Sequence, residues 1–156
     1  MKLRHVLIAA AVLALAACGG GPVKRVSEPA AGIQQLTVRA DGRWDVVVRL
    51  DNFSSVPMRF SSAKLEVAFD NGAAASVQAQ PAISIGPESA DVFTATLTPL
   101  PAGRARIATA LADGRGLNYN LVGTVDAGPE DGKSRSYKIE RKSALNPVPG
   151  LPGVLR

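Results

Sequence analysis

Cys18 and His5 are the only cysteine and the only histidine in this chain of 156 residues. Both fall within the first eighteen positions. From Gly19 onward there is no second thiol for an intrachain disulfide, no Cys/His set for zinc, and no Ser-His or Cys-His nucleophile pair. Carboxylates, lysines, tyrosines and serines remain. Tyr119 has a hydroxyl but no suitable base beside it in sequence, so it reads as packing rather than as a general acid. Asp126, Glu130 and Asp131 share a loop with Gly128, Pro129 and Gly132. They lack the alternating oxygen ligands of a calcium loop and read as a solvated turn. Trp44, as a ligand platform or as core, fits the core better, because it is a lone tryptophan on an alternating stretch. The residues thus predict no catalytic, cofactor or metal site and no enzyme. Nor do they predict a nucleic-acid partner: 18 basic against 13 acidic residues is a mild excess, without the basic face and stacking aromatics such binding uses.

Cys18 has a position that gives its thiol another use. Lys2, Arg4 and His5 precede an apolar run from Val6 to Leu15, and Ala16 and Ala17 follow, which is the anatomy of a secretory signal over residues 1–17. The run spans ten residues, where a bilayer-crossing helix takes roughly 20. Leu15-Ala16-Ala17-Cys18 resembles the lipobox of bacterial lipoproteins. That resemblance implies a diacylglyceryl group on the Cys18 sulfur, cleavage before Cys18, and an N-acyl chain of the palmitate type on the new terminus. Each buried methylene contributes about 0.8 kcal/mol, and two or more chains hold a protein on a membrane where one does not. Because Gly19 rather than aspartate follows, the resemblance implies the outer membrane, facing the periplasm. Cleavage leaves 139 residues, and loss of Lys2 and Arg4 lowers the basic excess from five to three. That length is a single domain.

Residues 18–32 carry Gly, Pro and charge without apolar periodicity and read as a flexible tether, with a root-mean-square span of roughly 20 to 25 Å. That length would hold the domain clear of the head groups. Residues 33–142 read as the domain, because alternation begins at Leu36. Trp44, Val46, Val48 and Leu50 oppose Asp45, Arg49 and Asp51. Ala63, Leu65, Val67 and Phe69 oppose Lys64, Glu66 and Asp70. Phe93, Ala95 and Leu97 alternate with threonines, and Leu117, Tyr119 and Leu121 with asparagines. A last strand passes through Tyr137 and Ile139. Matching apolar faces across the turns predicts three-residue loops, Ala40-Asp41-Gly42 and Asp70-Asn71-Gly72, with Gly42 and Gly72 at positive φ. Val38 then meets Trp44, Phe69 meets Ala73, and Val67 meets Ala75. Gly103 to Gly114 breaks the rhythm and predicts one short helix. The whole predicts an all-β, antiparallel β-sandwich of immunoglobulin or fibronectin type III-like build. Residues 143–156, rich in Pro and Gly, form a tail, either docked through Leu151, Val154 and Leu155 or loose.

The order of features over residues 44–125 resembles the late embryogenesis abundant type 2 group, which includes the water-stress and hypersensitive-response domain. Trp44-Asp45-Val46-Val47-Val48-Arg49-Leu50 ends in Asp51-Asn52. Val56-Pro57-Met58-Arg59-Phe60 then leads into the Ala63 strand and its glycine turn. Ile85-Gly86-Pro87, the threonine strand, the helix and Leu117-Asn118-Tyr119-Asn120-Leu121-Val122-Gly123-Thr124-Val125 complete the match. The group's Asn-Pro-Asn is met only at Asn52, with Phe53 and Ser54 following. The resemblance implies a fibronectin-like sandwich protecting against desiccation or other stress, acting on membrane surface or proteins, with no catalytic residues. The alternative is an envelope binding or assembly module with a protein or lipid partner. Lys133, Arg135, Lys138, Arg141 and Lys142 either touch anionic lipid or guard a sheet edge.

Overall fold

The structure is a computed structural model that describes residues 24–156. The signal expected over residues 1–17, the lipobox-like Leu15, Ala16 and Ala17, and Cys18 itself lie outside the described residues. Among the described residues, nine strands and one helix follow in order: β1 (Ala30–Val38), β2 (Trp44–Asn52), β3 (Met58–Phe69), β4 (Gly72–Ala79), β5 (Ile83–Ile85), β6 (Ser89–Leu97), α1 (Pro101–Asp113), β7 (Leu117–Pro129), β8 (Arg135–Leu145) and β9 (Val154–Leu155). One sheet runs β6-β2-β1-β9 and the other β4-β3-β7-β8, with β5 on the β4 side of β3. Every strand pairing is antiparallel. The two sheets pack their apolar faces together, an all-β sandwich with the strand order of fibronectin type III domains.

Strand alternation carries the core. Trp44, Val46, Val48 and Leu50 of β2 are buried against Ala63, Leu65, Val67 and Phe69 of β3 and Leu117, Tyr119 and Leu121 of β7. Trp44 and Phe69 have ring centroids 5.9 Å apart, within the range of favourable aromatic pairs. On β6 only Leu97 is buried; Phe93 and Ala95 are half-buried, because β6 ends its sheet and has a neighbour on one side alone. The helix starts at Pro101, two residues before the expected Gly103, since proline's fixed φ suits the first helical turn. It ends on Gly114 at φ 62°, and it buries Gly103, Ile107 and Ala110 along one face.

The first hairpin pairs Val38 with Trp44 and Leu36 with Val46, and Gly42 has φ 79°. The second departs from the expected turn. Gly72 does not take the left-handed conformation; Asp70 (φ 45°) and Asn71 (φ 67°) do, so Phe69 pairs with Gly72 rather than Ala73. This is a two-residue turn of the kind that needs positive φ twice, which Asp and Asn tolerate best after glycine. Val67 still meets Ala75, because the extra residue sits inside β4 as a bulge at Ala74. The bulge has a use: the Ala74 carbonyl accepts the Leu100 amide at 2.8 Å and so seats the start of α1.

Residues 25–32 and the C-terminal tail are more ordered than their composition suggests. Ala30, Ala31 and Gly32, expected in the tether, already pair with Asp51, Leu50 and Arg49. The tail docks: Leu155 is fully buried and pairs with Leu36, and the Val38 amide donates to Gly153 O at 2.8 Å.

Candidate functional site

Two ends of the sandwich can be distinguished by which loops they gather. The end reached first from the N-terminus gathers residues 24–29, the β2–β3 loop, the β5–β6 loop and the β7–β8 turn. Its centre is Asn52, 1% exposed. Asn52 Nδ2 donates to the carbonyls of Val56 (2.9 Å), Ile85 (3.0 Å) and Gly86 (2.8 Å), and Oδ1 accepts the Ser54 amide at 2.9 Å. Two protons are thus shared among three carbonyls at the loop ends. Two stretches that carry the family resemblance, Asp51-Asn52 and Ile85-Gly86-Pro87, meet at this side chain.

Ser54, fully buried, extends the node toward the N-terminus. Its hydroxyl accepts the Ser27 amide at 3.0 Å, and its carbonyl accepts the Glu88 amide at 3.0 Å. Glu88 takes φ 48° to do so, a conformation costly to an L-residue. Arg25 runs alongside: its amide donates to Ser55 Oγ (2.9 Å), and its guanidinium to Phe53 O (3.2 Å) and Glu88 Oε1 (3.0 Å). Residues 25–27, expected in a tether, are therefore clamped to the domain. Sequence reading did not assign this node. The available signal was Asn52 in a polar loop at a strand end, whose three acceptors lie up to 34 residues away.

Beside the clamp lies a groove of about 310 Å³ lined by Lys24, Val26, Val56, Pro57, Pro129 and the Glu130–Gly132 turn. Val26 is 44% and Phe53 51% exposed, so this rim presents large apolar side chains to solvent. It combines them with charges of both signs.

The other residues weighed for chemistry are placed as follows. Trp44 is core, 1% exposed. The Tyr119 hydroxyl accepts the Ile33 amide at 3.0 Å beside the β1 bulge at Gln34, which ties the two sheets together. Tyr119→Phe should cost about 1–2 kcal/mol by stranding that buried amide, read as a lower urea midpoint with an unchanged slope. Asp126 accepts from Ser62 Oγ at 2.6 Å. The Ser62 hydroxyl, followed by that of Ser136 and by Lys64, holds its carboxyl below the usual range. Glu130 accepts from Ser84 Oγ. Among the described residues, no three carboxylate, histidine or cysteine side chains converge as a metal site, and no helix is long and apolar enough to cross a membrane.

The basic run does not form one patch. Arg135, Lys138, Arg141 and Lys142 lie along β8, the edge of its sheet, and seven residues of strand span roughly 23 Å. Salt screens charges beyond about 8 to 10 Å. Glu140 shares the outward face with Lys138 and Lys142. The Arg141 side chain lies across Gly32, where a Cβ would come within 2.9 Å of its Nε, and so covers the stretch of β1 that β9 leaves unpaired. This arrangement is that of an edge guarded by charge.

No family model matches the chain, and no curated protein matches it in sequence. Solved structures do match. Protein AT1g01470 from Arabidopsis thaliana superposes with a TM-score of 0.50 at 9% identity, covering 81% of this chain and 82% of that one. A protein from Archaeoglobus fulgidus gives 0.45 at 16% identity, covering 79% and 98%. A candidate late embryogenesis abundant protein, At2g46140.1, gives 0.47 at 13% identity, covering 97% and 87%. At such identities the likeness concerns the fold, and AT1g01470 is a sandwich of the same build.

Proposed function

We propose that this chain is a non-catalytic envelope lipoprotein, anchored through acyl chains on Cys18 in the outer membrane and facing the periplasm. Its late embryogenesis abundant type 2-like domain protects membrane surface or proteins during water loss. The observation that carries the reading is the lipobox-like Leu15-Ala16-Ala17-Cys18 placed ahead of a small sandwich. The resemblance over residues 44–125 supplies the protective role, and the sandwich gives it a physical basis. Lys64, Glu66, Asn118, Lys138, Glu140 and Lys142 point outward from the β3-β7-β8 sheet, all exposed, and offer a face of alternating charge and amide to hydrate or to contact. The buried polar side chains Asn52, Ser54 and Tyr119 are occupied by backbone partners.

The assembly reading has one observation in its favour: β6 pairs along all nine of its residues with β2 and leaves its other side open to a further strand. Drying and hyperosmotic shock of a deletion strain separate the two. Survival well below the parent, restored by the gene, is expected for protection; equal survival together with a stable envelope partner recovered in pull-down would replace it with assembly. For the anchor, Cys18→Ala should move the domain from the membrane fraction to the soluble periplasm or leave it unprocessed. Retention in the membrane at parental level would contradict lipidation at this residue.

A further inference from the structure

We infer that the Asn52 end of the sandwich is held against the bilayer and seats Phe53 and Val26 among zwitterionic lipid head groups. The inference rests on the Cys18 anchor proposed above and adds which face of the domain meets the membrane. Its first support is length. Residues 25–27 are hydrogen-bonded to residues 53–55, so only the segment from Cys18 to Lys24 separates the anchor from the folded domain. At 3.3–3.6 Å per residue those seven residues reach at most about 25 Å. The opposite end, beyond nine residues of β2, lies about 30 Å further along the strands. The end carrying Phe53 therefore stays next to the head groups.

The second support is what that end exposes. Phe53 opens the β2–β3 loop directly after Asn52, 51% exposed, with Val26 at 44%, and the groove between Val56, Pro57 and Pro129 opens beside them. Elsewhere the large exposed apolar side chains are dispersed. Leu100 and Leu151 lie toward the opposite end, Val92 stands mid-strand on β6 across from Arg49, and Val122 is flanked on its own face by Glu66 and Glu140. An aromatic ring and a branched aliphatic side chain on a rigid loop end suit the interfacial zone, where apolar bodies gain from partial burial. The third support is charge. Lys24, Arg25 and Lys133 share this rim with Glu88, Glu130 and Asp131, so it does not select an anionic surface. Head groups without net charge fit it.

The test uses the full chain, produced with its signal, recovered from membranes and reconstituted into phosphatidylcholine vesicles with or without acyl-brominated lipid. Phe53→Trp places a reporter at the proposed contact, and Leu151→Trp, at a comparably exposed site, a reporter at the opposite end. The reporter at 53 is expected to shift to the blue and lose at least half of its emission to brominated lipid, while the reporter at 151 and the buried Trp44 lose little. Raising salt to 0.5 M or adding anionic lipid should leave the quenching within a quarter of its value. A chain that floats with the vesicles but is quenched no more at 53 than at 151 overturns the face and leaves the anchor standing. Quenching that disappears with salt overturns the zwitterionic contact. A chain that does not float overturns the anchor and, with it, this inference.

Discussion

Asn52→Ala is expected to destabilise the domain by about 3–5 kcal/mol, far more than deletion of an ordinary loop amide. The side chain is buried, and four backbone groups, the carbonyls of Val56, Ile85 and Gly86 and the amide of Ser54, depend on it. Each hydrogen bond contributes about 0.5–1.5 kcal/mol net, and a buried group left without a partner costs about 1–3 kcal/mol. Partial hydration of the loosened loops keeps the sum below the arithmetic maximum. Asn52→Asp is a sharper probe. It keeps the acceptor for Ser54 but sets a carboxylate against three carbonyl oxygens, so the folded-state pKa of the new group rises above its unfolded value of about 3.9. A carboxyl raised on folding costs nothing below the unfolded pKa and progressively more as pH climbs toward the folded one. Stability of this variant should therefore fall from pH 4 to pH 7. The parent's exposed carboxylates behave oppositely. Asp41, held below the usual range first by the Arg43 amide, and Asp45, first by the Thr96 hydroxyl, contribute above pH 4 and lose that contribution as pH falls through their folded values. Urea midpoints across this range decide. An Asn52→Ala midpoint within about 1 kcal/mol of the parent, or an Asn52→Asp variant indifferent to pH, would show that the loops close without this node.

How far the fold could be read in advance follows the range of the interaction concerned. Alternation is local, so the β2, β3 and β7 faces were legible from Trp44, Leu65 and Leu121 alone. Pairing across the first hairpin was legible because only one register places Val38 and Leu36 opposite Trp44 and Val46. The second hairpin was harder: Ala73, Ala74 and Ala75 are too alike for apolar matching to choose between a bulge at the turn and one inside the strand. The choice is made at a distance, by Leu100 donating to the Ala74 carbonyl. The same holds where the described chain enters the sandwich. The composition of residues 25–32 suggests a linker, and nothing local reveals that Ser54 and Ser55 wait to receive them. Phe53 and Val26 were legible as apolar residues in polar segments, but only the clamp brings them onto one rim. The anchor reading is of another kind, resting on four contiguous residues and on no tertiary contact.

A glycine inside β7 carries the second large effect. Gly123 is the one member without a side chain in the inward series Leu117, Tyr119, Leu121, Val125 and Ala127, and it pairs with Leu65 on one side and Ile139 on the other. A glycine in a strand interior often marks a close backbone approach, and here a Cβ would overlap the Lys64 carbonyl oxygen and come within 2.9 Å of Leu65 Cα. The obstacle is backbone of the central strand β3, so no side-chain rotamer can relieve it. The φ of 157° adds to the cost for any L-residue. Gly123→Ala must part β3 from β7 at the middle of the larger sheet, losing ladder hydrogen bonds and opening the core at Leu65. We expect a loss of about 3–5 kcal/mol, in the range where single substitutions are exceptional, and Gly123→Val should leave no cooperative unfolding transition at all. Gly86→Ala is the fitting control, because a Cβ there meets nothing within 4 Å, and its midpoint should stay within about 0.5 kcal/mol of the parent. If Gly123→Ala unfolded at the parent's urea concentration, β3 and β7 would have more room between them than this geometry allows.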